Sequence, residues 1–282
     1  MILVLGSSGQ VASELRCLTG VEAVGRPDLD FCDLGSISKV IEGAQPSAVI
    51  NAAAYTSVDA AEGDAEVAQM INSDAPAEVA RVCRSLDIPL VHISTDYVFD
   101  GTKSRPYLPE DDCNPQSVYG ASKRAGEVAI AGSGCRHVIL RTSWVFSRHG
   151  SNFVKTMLRL GRERGRLSVV SDQIGGPTSA AAIAKCCVAI AGRMTLDPEL
   201  GGTFHFSGAP SVSWLEFARE IFSASGVDVE LTPIATDVYP TRARRPSYSA
   251  LDCQSTCDTF AVSQPNWRDD LLGVLSDLGE VK

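Results

Sequence analysis

The stretch that decides the fold stands at the start of the chain: Met1-Ile-Leu-Val-Leu-Gly-Ser-Ser-Gly-Gln-Val-Ala12. Residues 2–5 are apolar without polar alternation, which is typical of a strand buried on both faces of a sheet. Gly6 permits a tight turn after that strand, Gly9 lets the backbone approach a pyrophosphate, and Ala12 is small enough for close helix packing. The stretch therefore predicts a phosphate-binding turn between a strand and a helix. Its candidate ligands for a dinucleotide are Gly6, Ser8, Gly9, Gln10 and Val11.

Short apolar runs and helical patterns continue to alternate outward from this turn. We predict further strands over residues 23–24, 47–50, 89–93 and 137–141, and helices over residues 10–18, 36–42, 65–86 and 117–131. Strands that alternate with helices are joined by right-handed crossovers and form a parallel sheet. The sequence thus predicts an α/β fold with a doubly wound parallel sheet, in which residues 1–146 form a dinucleotide-binding domain.

The pattern loosens in the second half of the chain. We predict helices over residues 153–164, 180–191 and 214–223 and strands over residues 167–170 and 204–206, followed by a proline-rich tail. We interpret residues 147–282 as a smaller, mainly substrate-binding domain, some of whose elements return to the main sheet.

The composition excludes several classes of protein. Of the 282 residues, 44% are hydrophobic and 21% are charged, as expected for a globular protein of one large or two small domains. The net charge of −9 disfavours nucleic acid or an anionic membrane as the main partner, although a small anionic substrate can bind in a locally positive pocket. No apolar run approaches the ~18 residues of a membrane span, and the first residues lack the positive charges that begin a signal peptide. We therefore expect a cytoplasmic protein with a small-molecule substrate.

The cysteines, histidines and acidic residues show no pattern of a metal site or of a disulfide framework. The nine cysteines are irregularly spaced without a Cys-x-x-Cys pair, and the four histidines are scattered. Such cysteines are typical of reduced, mostly buried thiols in a cytosolic protein. Glu14, Glu62 and Glu199 are isolated acids, so we predict no metal site. The basic run over residues 159–166 is interpreted as a solvated helix face.

Three residues in the first half have the pattern of a proton-transfer site. Thr95 ends a predicted strand, and Tyr119 and Lys123 are four residues apart on the next predicted helix, so they share one helix face. Ligands bind at the carboxyl ends of the strands in doubly wound sheets. A Lys ammonium near a phenol favours the phenolate, so we expect Lys123 to lower the pKa of Tyr119 from its usual ~10. Tyr119 could then exchange a proton near neutral pH, and the Thr95 hydroxyl could bind the reacting oxygen.

The residues after the second predicted strand bear on the identity of the cofactor. Arg26 stands where the 2′ position of the adenosine ribose would lie, and an arginine there accommodates the 2′-phosphate of NADP. The sequence therefore favours NADPH, with NADH as the alternative. Asp30 is a candidate acceptor for the adenine amine, and Asp33 is the predicted N-cap of the following helix.

Seven strings carry a resemblance that covers almost the whole chain. They are Gly6-Ser-Ser-Gly-Gln10, Asn51-Ala-Ala-Ala-Tyr-Thr-Ser-Val-Asp59, Ser94-Thr-Asp-Tyr-Val-Phe-Asp-Gly101, Tyr119-Gly-Ala-Ser-Lys123, Arg141-Thr-Ser-Trp-Val-Phe146, Asp172-Gln-Ile-Gly-Gly-Pro-Thr178 and Arg245-Pro-Ser-Tyr-Ser-Ala-Leu-Asp252. With them the chain resembles the extended short-chain dehydrogenase/reductase family, which has a Rossmann-like fold. Within that family it resembles the reductases that act on dTDP-4-dehydro-L-rhamnose.

The resemblance implies a role for each matching residue. Tyr119 would be the proton donor, Lys123 would bind the nicotinamide ribose, and Thr95 would hold the substrate oxygen. The dinucleotide would also be lined by Asp30, Phe31, Ala52, Ala53, Ala54 and Thr142. The nucleotide-sugar would face Thr56, Val58, Asp96, Tyr97 and Trp144, with Asn152 and Arg245 as further candidates because an arginine suits a diphosphate. The implied reaction is reduction of the C4 keto group by NADPH, which gives dTDP-L-rhamnose. The family has also been linked to Mg²⁺ and to subunit association, so a homodimer is among the assemblies that the resemblance allows.

Other functions remain open at this point. A 4,6-dehydratase of the same superfamily would place Asp-Glu after the threonine, whereas this chain has Asp96-Tyr97. A 4-epimerase shares the scaffold, and a 4-ketoreductase for another nucleotide-deoxysugar is not separated by sequence. A non-catalytic, cofactor-binding regulatory subunit is disfavoured because Thr95, Tyr119 and Lys123 are all intact.

Overall fold

The structure, a computed structural model, describes residues 1–281. Its strands are β1 (Ile2–Leu5), β2 (Val21–Val24), β3 (Ala48–Asn51), β4 (Leu90–Thr95), β5 (His137–Thr142), β6 (Val145–Phe146), β7 (Arg166–Val170), β8 (Ile174–Gly175), β9 (Thr178–Ser179), β10 (Gly202–His205), β11 (Val212–Ser213) and β12 (Glu230–Ile234). Its α-helices are α1 (Gln10–Leu15), α2 (Leu34–Ala44), α3 (Val58–Ala61), α4 (Ala65–Gln69), α5 (Ala75–Ser85), α6 (Val118–Gly132), α7 (Phe153–Arg164), α8 (Ala180–Leu196), α9 (Trp214–Ser225), α10 (Gln254–Phe260) and α11 (Trp267–Asp277).

Six strands form one parallel sheet in the order β10-β5-β4-β3-β1-β2. The chain runs from β1 to β2 on one side and then crosses to β3 on the other side of β1, so the direction of winding reverses at β1. Crevices for ligands lie at the carboxyl ends of the strands at such a switch point. The predicted α/β fold with a doubly wound parallel sheet is confirmed.

Helices cover both faces of this sheet, which explains the apolar strands without polar alternation. Leu3 packs with Ile37 of α2 and Val79 of α5, whereas the next residue, Val4, packs on the opposite face with Ile183 of α8. Successive side chains of a strand point to opposite faces, so both faces of β1 must be apolar.

The predicted helix over residues 65–86 is interrupted by a π-helical turn, Met70–Asp74. Asn72 in this turn is fully buried, and its carboxamide pairs with the backbone of Tyr55, accepting from its N–H at 2.9 Å and donating to its C=O at 3.0 Å. Asn72 also donates to Ser122 Oγ of α6 at 3.0 Å. Such bulges serve to aim a side chain, here toward α6, and periodicity alone does not predict them.

The second half of the chain is divided between the main sheet and a smaller core. β10 pairs with β5, and α8 packs on the main sheet. The helices α7, α9 and α11 form a separate apolar cluster with β7 and β11. The tail after residue 225 is more ordered than the prolines suggested, since β12 pairs with β7 and includes Pro233. A proline is tolerated there because β12 has a neighbour on one side only.

Two further observations concern the described part of the chain. Within residues 1–281 no helix combines the length and apolar character needed to cross a membrane. All nine cysteines are free thiols, and five of them are buried.

Candidate active site

A cavity of about 700 Å³ opens at the carboxyl ends of β1, β3, β4 and β5. It brings together residues that lie more than 130 positions apart in the sequence, because the parallel strands all end at the same edge of the sheet. The predicted site residues that line it are Gly6, Ser8, Gly9, Gln10, Val11, Arg26, Phe31, Ala52, Ala53, Ala54, Thr56, Val58, Thr95, Asp96, Tyr97, Tyr119, Lys123, Thr142 and Trp144. The lining does not include Asp30, Asn152 and Arg245.

The glycine turn has the geometry that a pyrophosphate requires. Gly6 has a φ of +111°, and a Cβ on it would lie 3.2 Å from the Ala53 nitrogen, so a side chain would press against the end of β3. Gly9 is the N-cap of α1, which has no side-chain cap and no acidic residue in its first turn. The first backbone N–H groups of α1 are therefore free to bind an anion. These residues fit the pyrophosphate of a dinucleotide.

Arg26 lies at the edge of the cavity, whereas Asp30 is used locally. The Arg26 side chain is 71% exposed and lies 3.3 Å from Asp30. The Asp30 carboxylate accepts a hydrogen bond from Cys32 N at 3.0 Å, and this bond and the Arg26 charge lower its pKa. The carboxylate therefore stabilises its own turn, and adenine binding by Asp30 gains no support. Asp33 caps α2 by accepting from Gly35 N at 3.1 Å, so the predicted N-cap is confirmed.

The environment of Tyr119 differs from the one that the Tyr-x-x-x-Lys spacing suggested. Burial raises the pKa of Tyr119 to about 12, and the nearby Thr95 hydroxyl opposes this only in part. Lys123 Nζ turns instead toward β4, where it donates to Ile93 O at 2.8 Å and lies 3.1 Å from His92 Nε2. Burial lowers the pKa of Lys123 to about 8. The expected lowering of the Tyr119 pKa by Lys123 is therefore absent in this conformation, because the Lys123 nitrogen is engaged elsewhere.

Asp96 adds an acidic group next to Thr95. Its Oδ1 accepts from Thr95 Oγ1 at 3.1 Å, while its Oδ2 is buried without a hydrogen-bond partner among residues 1–281. Burial raises the pKa of Asp96 to about 6. Thr95 Oγ1 also accepts from Tyr97 N at 3.2 Å. The Thr95 hydroxyl is thus oriented by its neighbours, and Asp96 is a buried carboxyl group at the base of the cavity.

Trp144 forms the wall of the cavity that faces the smaller core. Its backbone has a φ of +47°, and its ring stacks on Trp214 with centroids 3.5 Å apart and an interplanar angle of 4°. Trp214 Nε1 donates to Gln173 Oε1 at 3.1 Å. A Cβ on Gly175 would lie 2.5 Å from Trp144 Cε2, so this position must be a glycine for the ring to fit. Strained backbone held by its surroundings is typical of functional positions.

Asn152 and Arg245 support the cavity from outside. Asn152 caps α7 and donates to Gln10 Oε1 at 3.0 Å, so it fixes a residue of the glycine turn. Arg245 donates to Asp59 Oδ2 at 2.7 Å, which ties the segment near residue 245 to α3. Direct contact of these two residues with a ligand therefore has no support from the geometry.

Two of the three isolated acids contact other parts of the chain. Glu14 lies 3.2 Å from His149 Nε2, and Glu62 accepts from Val118 N at 2.9 Å. No group of three or more His, Cys, Asp or Glu residues within residues 1–281 has an arrangement that could hold a metal ion.

Two polar residues of the site were missed at the sequence level. Asn51 ends β3 and His92 lies within β4, and both are buried beneath the cavity. The available signal was a single polar residue in each otherwise apolar run, Ala48-Val-Ile-Asn51 and Leu90-Val-His-Ile93. A buried polar group needs a partner, so a single polar residue in an apolar run indicates a specific hydrogen bond elsewhere in the fold.

The parallel sheet, the glycine turn at its switch point and the cluster of Thr95, Tyr119 and Lys123 define the class: dinucleotide-dependent oxidoreductases of the short-chain dehydrogenase/reductase type. Comparison with known proteins narrows this class. The family model described as "RmlD substrate binding domain" matches residues 1–279, and the chain belongs to this family.

Individual relatives agree with this assignment. The chain is similar to the dTDP-4-dehydrorhamnose reductase of Sinorhizobium fredii, with 41% identity over 278 residues that cover 95% of this chain and 94% of the relative. A crystal structure of a dTDP-4-dehydrorhamnose reductase from Clostridium acetobutylicum has a TM-score of 0.91 and 35% identity and covers 99% of both chains. The Bacillus anthracis reductase, solved in complex with NADP, has a TM-score of 0.91 and 34% identity and covers 98% of both chains.

Proposed function

We propose that this protein reduces the C4 keto group of dTDP-4-dehydro-L-rhamnose to give dTDP-L-rhamnose, with NADPH as cofactor and NADH as the alternative. The observation that carries the proposal is the single cavity in which the glycine turn and the trio of Thr95, Tyr119 and Lys123 face each other. The family and the names of the relatives support the same activity.

The cofactor, when bound, supplies the hydride. The N-terminus of α1 would hold its pyrophosphate and Arg26 the 2′-phosphate. The loop over residues 52–54 and Thr142 would line the rest of the dinucleotide, and Lys123 would bind the ribose next to the nicotinamide. These assignments use residues that all line the cavity.

Tyr119 is the proposed proton donor. With its pKa raised to about 12, the phenol keeps its proton at neutral pH and can donate it to the C4 oxygen as negative charge develops there. Thr95 is proposed to bind the same oxygen, which requires its hydroxyl proton to turn from Asp96 Oδ1 to the substrate. Lys123 provides a nearby group that changes protonation state near pH 8.

The sugar and its nucleotide are proposed to occupy the wall formed by Thr56, Val58, Tyr97 and Trp144. Asp96, which lines the same cavity, is proposed to face the sugar. Residues 1–146 would then serve mainly the dinucleotide and residues 147–282 mainly the substrate, although β10 and α8 belong to the main sheet. We further propose a cytoplasmic protein, in line with nine free cysteines, and leave a homodimer as a prediction.

The test is oxidation of NADPH, followed at 340 nm, with dTDP-4-dehydro-L-rhamnose generated in situ and with NADH in a parallel run. NMR of the product identifies its C4 configuration. Stoichiometric oxidation that yields dTDP-L-rhamnose supports the proposal. The C4 epimer would change the named product, and conversion without net oxidation would indicate an epimerase or dehydratase. Cofactor binding without turnover would favour another keto-sugar or a regulatory subunit.

A further inference from the structure

His92 stands in the middle of β4 and is completely buried. In the register of the sheet it is the partner of Asn51, the last residue of β3, which is 1% exposed. An imidazole in an apolar strand loses its contacts with water, so its two nitrogens must find partners within the protein. Both nitrogens do so, and one of the partners is Lys123.

The contacts form a chain of hydrogen bonds from the cavity wall to Lys123. The Ala53 N–H donates to Asn51 Oδ1 at 3.1 Å. Asn51 Nδ2 lies 3.1 Å from His92 Nδ1, and His92 Nε2 lies 3.1 Å from Lys123 Nζ. Ala53 itself lines the cavity beside the glycine turn. These hydrogen bonds therefore connect the loop over residues 52–54 with Lys123, the lysine of the proposed catalytic trio.

The donors and acceptors in this chain determine where the imidazole proton must be. Because the Ala53 N–H occupies Asn51 Oδ1, the Asn51 amide group faces His92 and can only donate. His92 Nδ1 must then accept, which places the proton of the neutral ring on Nε2, opposite Lys123. An ammonium has three donors and no acceptor, whereas a neutral amine has a lone pair that accepts this N–H. The arrangement thus favours the neutral amine of Lys123, which also donates to Ile93 O at 2.8 Å.

We propose that His92, oriented by Asn51, is a positioning residue that directs an N–H at Lys123 and biases it toward the neutral amine. The proposal rests on the proposed function for its consequence in turnover. Because Asn51 is itself fixed by Ala53, the bias is coupled to the loop that lines the dinucleotide part of the cavity. Movement of that loop would release the carboxamide, let the imidazole proton change nitrogen and allow Lys123 to become an ammonium.

The charged surroundings agree with this arrangement. Burial lowers the pKa of Lys123 to about 8, and only Glu127, on the next turn of α6, acts in the opposite direction. Glu127 is already paired with Arg141 of β5 at 2.8 Å. The pKa of His92 is held well below its usual value, mainly by burial. β3 contributes no titratable side chain. His92 is therefore neutral at physiological pH, as the hydrogen-bond chain requires.

The first experiment determines the tautomer of His92 directly in the full-length protein without cofactor. The chain has only four histidines, so ¹⁵N-histidine labelling with a His92→Gln spectrum for assignment resolves the ring nitrogens. Above pH 8, where Lys123 is mainly the neutral amine, we expect a neutral His92 ring with the proton on Nε2. Asn51→Asp replaces the donating amide by an accepting carboxylate and is expected to move the proton to Nδ1. A wild-type ring with its proton on Nδ1 above pH 8 would overturn the proposal.

The second experiment follows the titration of Lys123, one of six lysines, by ¹³Cε-lysine NMR, with Lys123→Arg for assignment. We expect a wild-type midpoint near pH 8 and an upward shift of about one unit in His92→Gln, because the Gln side chain can turn its oxygen to the ammonium. His205→Gln is the matched control, since His205 is equally buried on β10 and contacts Tyr107 O and Arg141 rather than Lys123. Equal midpoints in wild type and His92→Gln would contradict the proposal.

Turnover provides a readout that is separate from these titrations. In NADPH oxidation the alkaline limb of the kcat profile is expected to move upward in His92→Gln and to stay in place in His205→Gln. Thermal unfolding of each variant checks that it is folded. If Asn51→Asp does not fold, the tautomer of the wild-type protein alone decides the proposal. Absence of turnover in the wild type would defeat the proposed function, whereas the NMR results would still decide the role of His92.

Discussion

The two halves of the cavity are built in different ways. The half that we assign to the dinucleotide consists mainly of backbone: Gly6, Gly9 and the loop over residues 52–54 present N–H groups and small side chains. The half that we assign to the substrate depends on large side chains held by distant partners, as in the Trp144–Trp214 stack. A backbone site needs a short local motif, whereas a side-chain site needs support from elsewhere in the fold. The halves should therefore fail in different ways when they are mutated.

The strongest test falls where the halves meet. Tyr119→Phe removes the proposed proton donor but keeps the ring that packs against Tyr97. We expect kcat to fall by about 10³-fold, within the usual range for loss of a general acid, while the Kd of NADPH changes less than about threefold. Stopped-flow turnover and fluorescence titration measure the two quantities. Retained turnover would remove Tyr119 from its assigned role.

Asp96→Asn is expected to lower the activity and to raise the free energy of unfolding, and the gain in stability depends on pH. The folded-state pKa of Asp96 is about 6 against an ordinary 3.8, so the folded protein loses stability as the pH rises between these values. At pH 8 the neutral amide should raise the free energy of unfolding by about 3 kcal/mol, and at pH 4 by only about 0.5 kcal/mol. Urea unfolding at both pH values measures this, and an equal gain at both would contradict a buried, charged Asp96.

Substitutions at the two glycines of the turn are expected to have different effects on stability and on cofactor binding. Gly6→Ala forces a left-handed conformation and a contact with Ala53 N, so we expect a loss of stability of about 1–3 kcal/mol together with weaker NADPH binding. Gly9 has a φ of −70° and open space where a Cβ would lie. The Gly9→Ala variant should therefore keep its stability and lose only affinity for NADPH. Calorimetry and binding titrations compare the pair. Normal affinity in Gly9→Ala would argue against close approach of a pyrophosphate.

Trp214→Ala probes the side-chain half without touching the dinucleotide half. Removing the ring that supports Trp144 should raise the KM of the sugar substrate by about tenfold, roughly the value of a lost aromatic stacking contact, and leave the Kd of NADPH unchanged. In Trp214→Phe the KM of the sugar substrate should return most of the way to the wild-type value. If both variants weaken NADPH binding equally, the two halves are not independent.

Arg26→Ala should have the smallest effect, because its side chain is 71% exposed and solvent screens its charge. We expect the KM of NADPH to rise several-fold, within about 1 kcal/mol, while the KM of NADH stays constant. Steady-state kinetics with both cofactors decide this. Equal changes for the two cofactors would remove the reason for assigning the 2′-phosphate to Arg26.

The sequence predicted the features that depend on neighbouring residues. The apolar residues of β1, the glycines of the turn and the Asp33 cap are local patterns, and the structure contains each of them. The Tyr119–Lys123 spacing was also sufficient to place both residues on one helix that lines the cavity. It was not sufficient to predict the direction of the Lys123 amine, since the competing acceptor, Ile93 O, lies 30 residues away on another element.

By itself, then, the sequence determined the five main strands of the first half of the chain and the glycine turn after β1, since hydrophobic periodicity and glycine conformations act over a few residues. It did not predict β12, α10 or α11 in the proline-rich tail. Only the tertiary structure decided which partners the polar side chains have. Arg245 is paired with Asp59, 186 residues away, and Asn152 binds Gln10, 142 residues away. It also placed β10 in the main sheet, beside β5. Such contacts arise when separate elements pack together, and a buried charge or amide takes the nearest partner that packing offers.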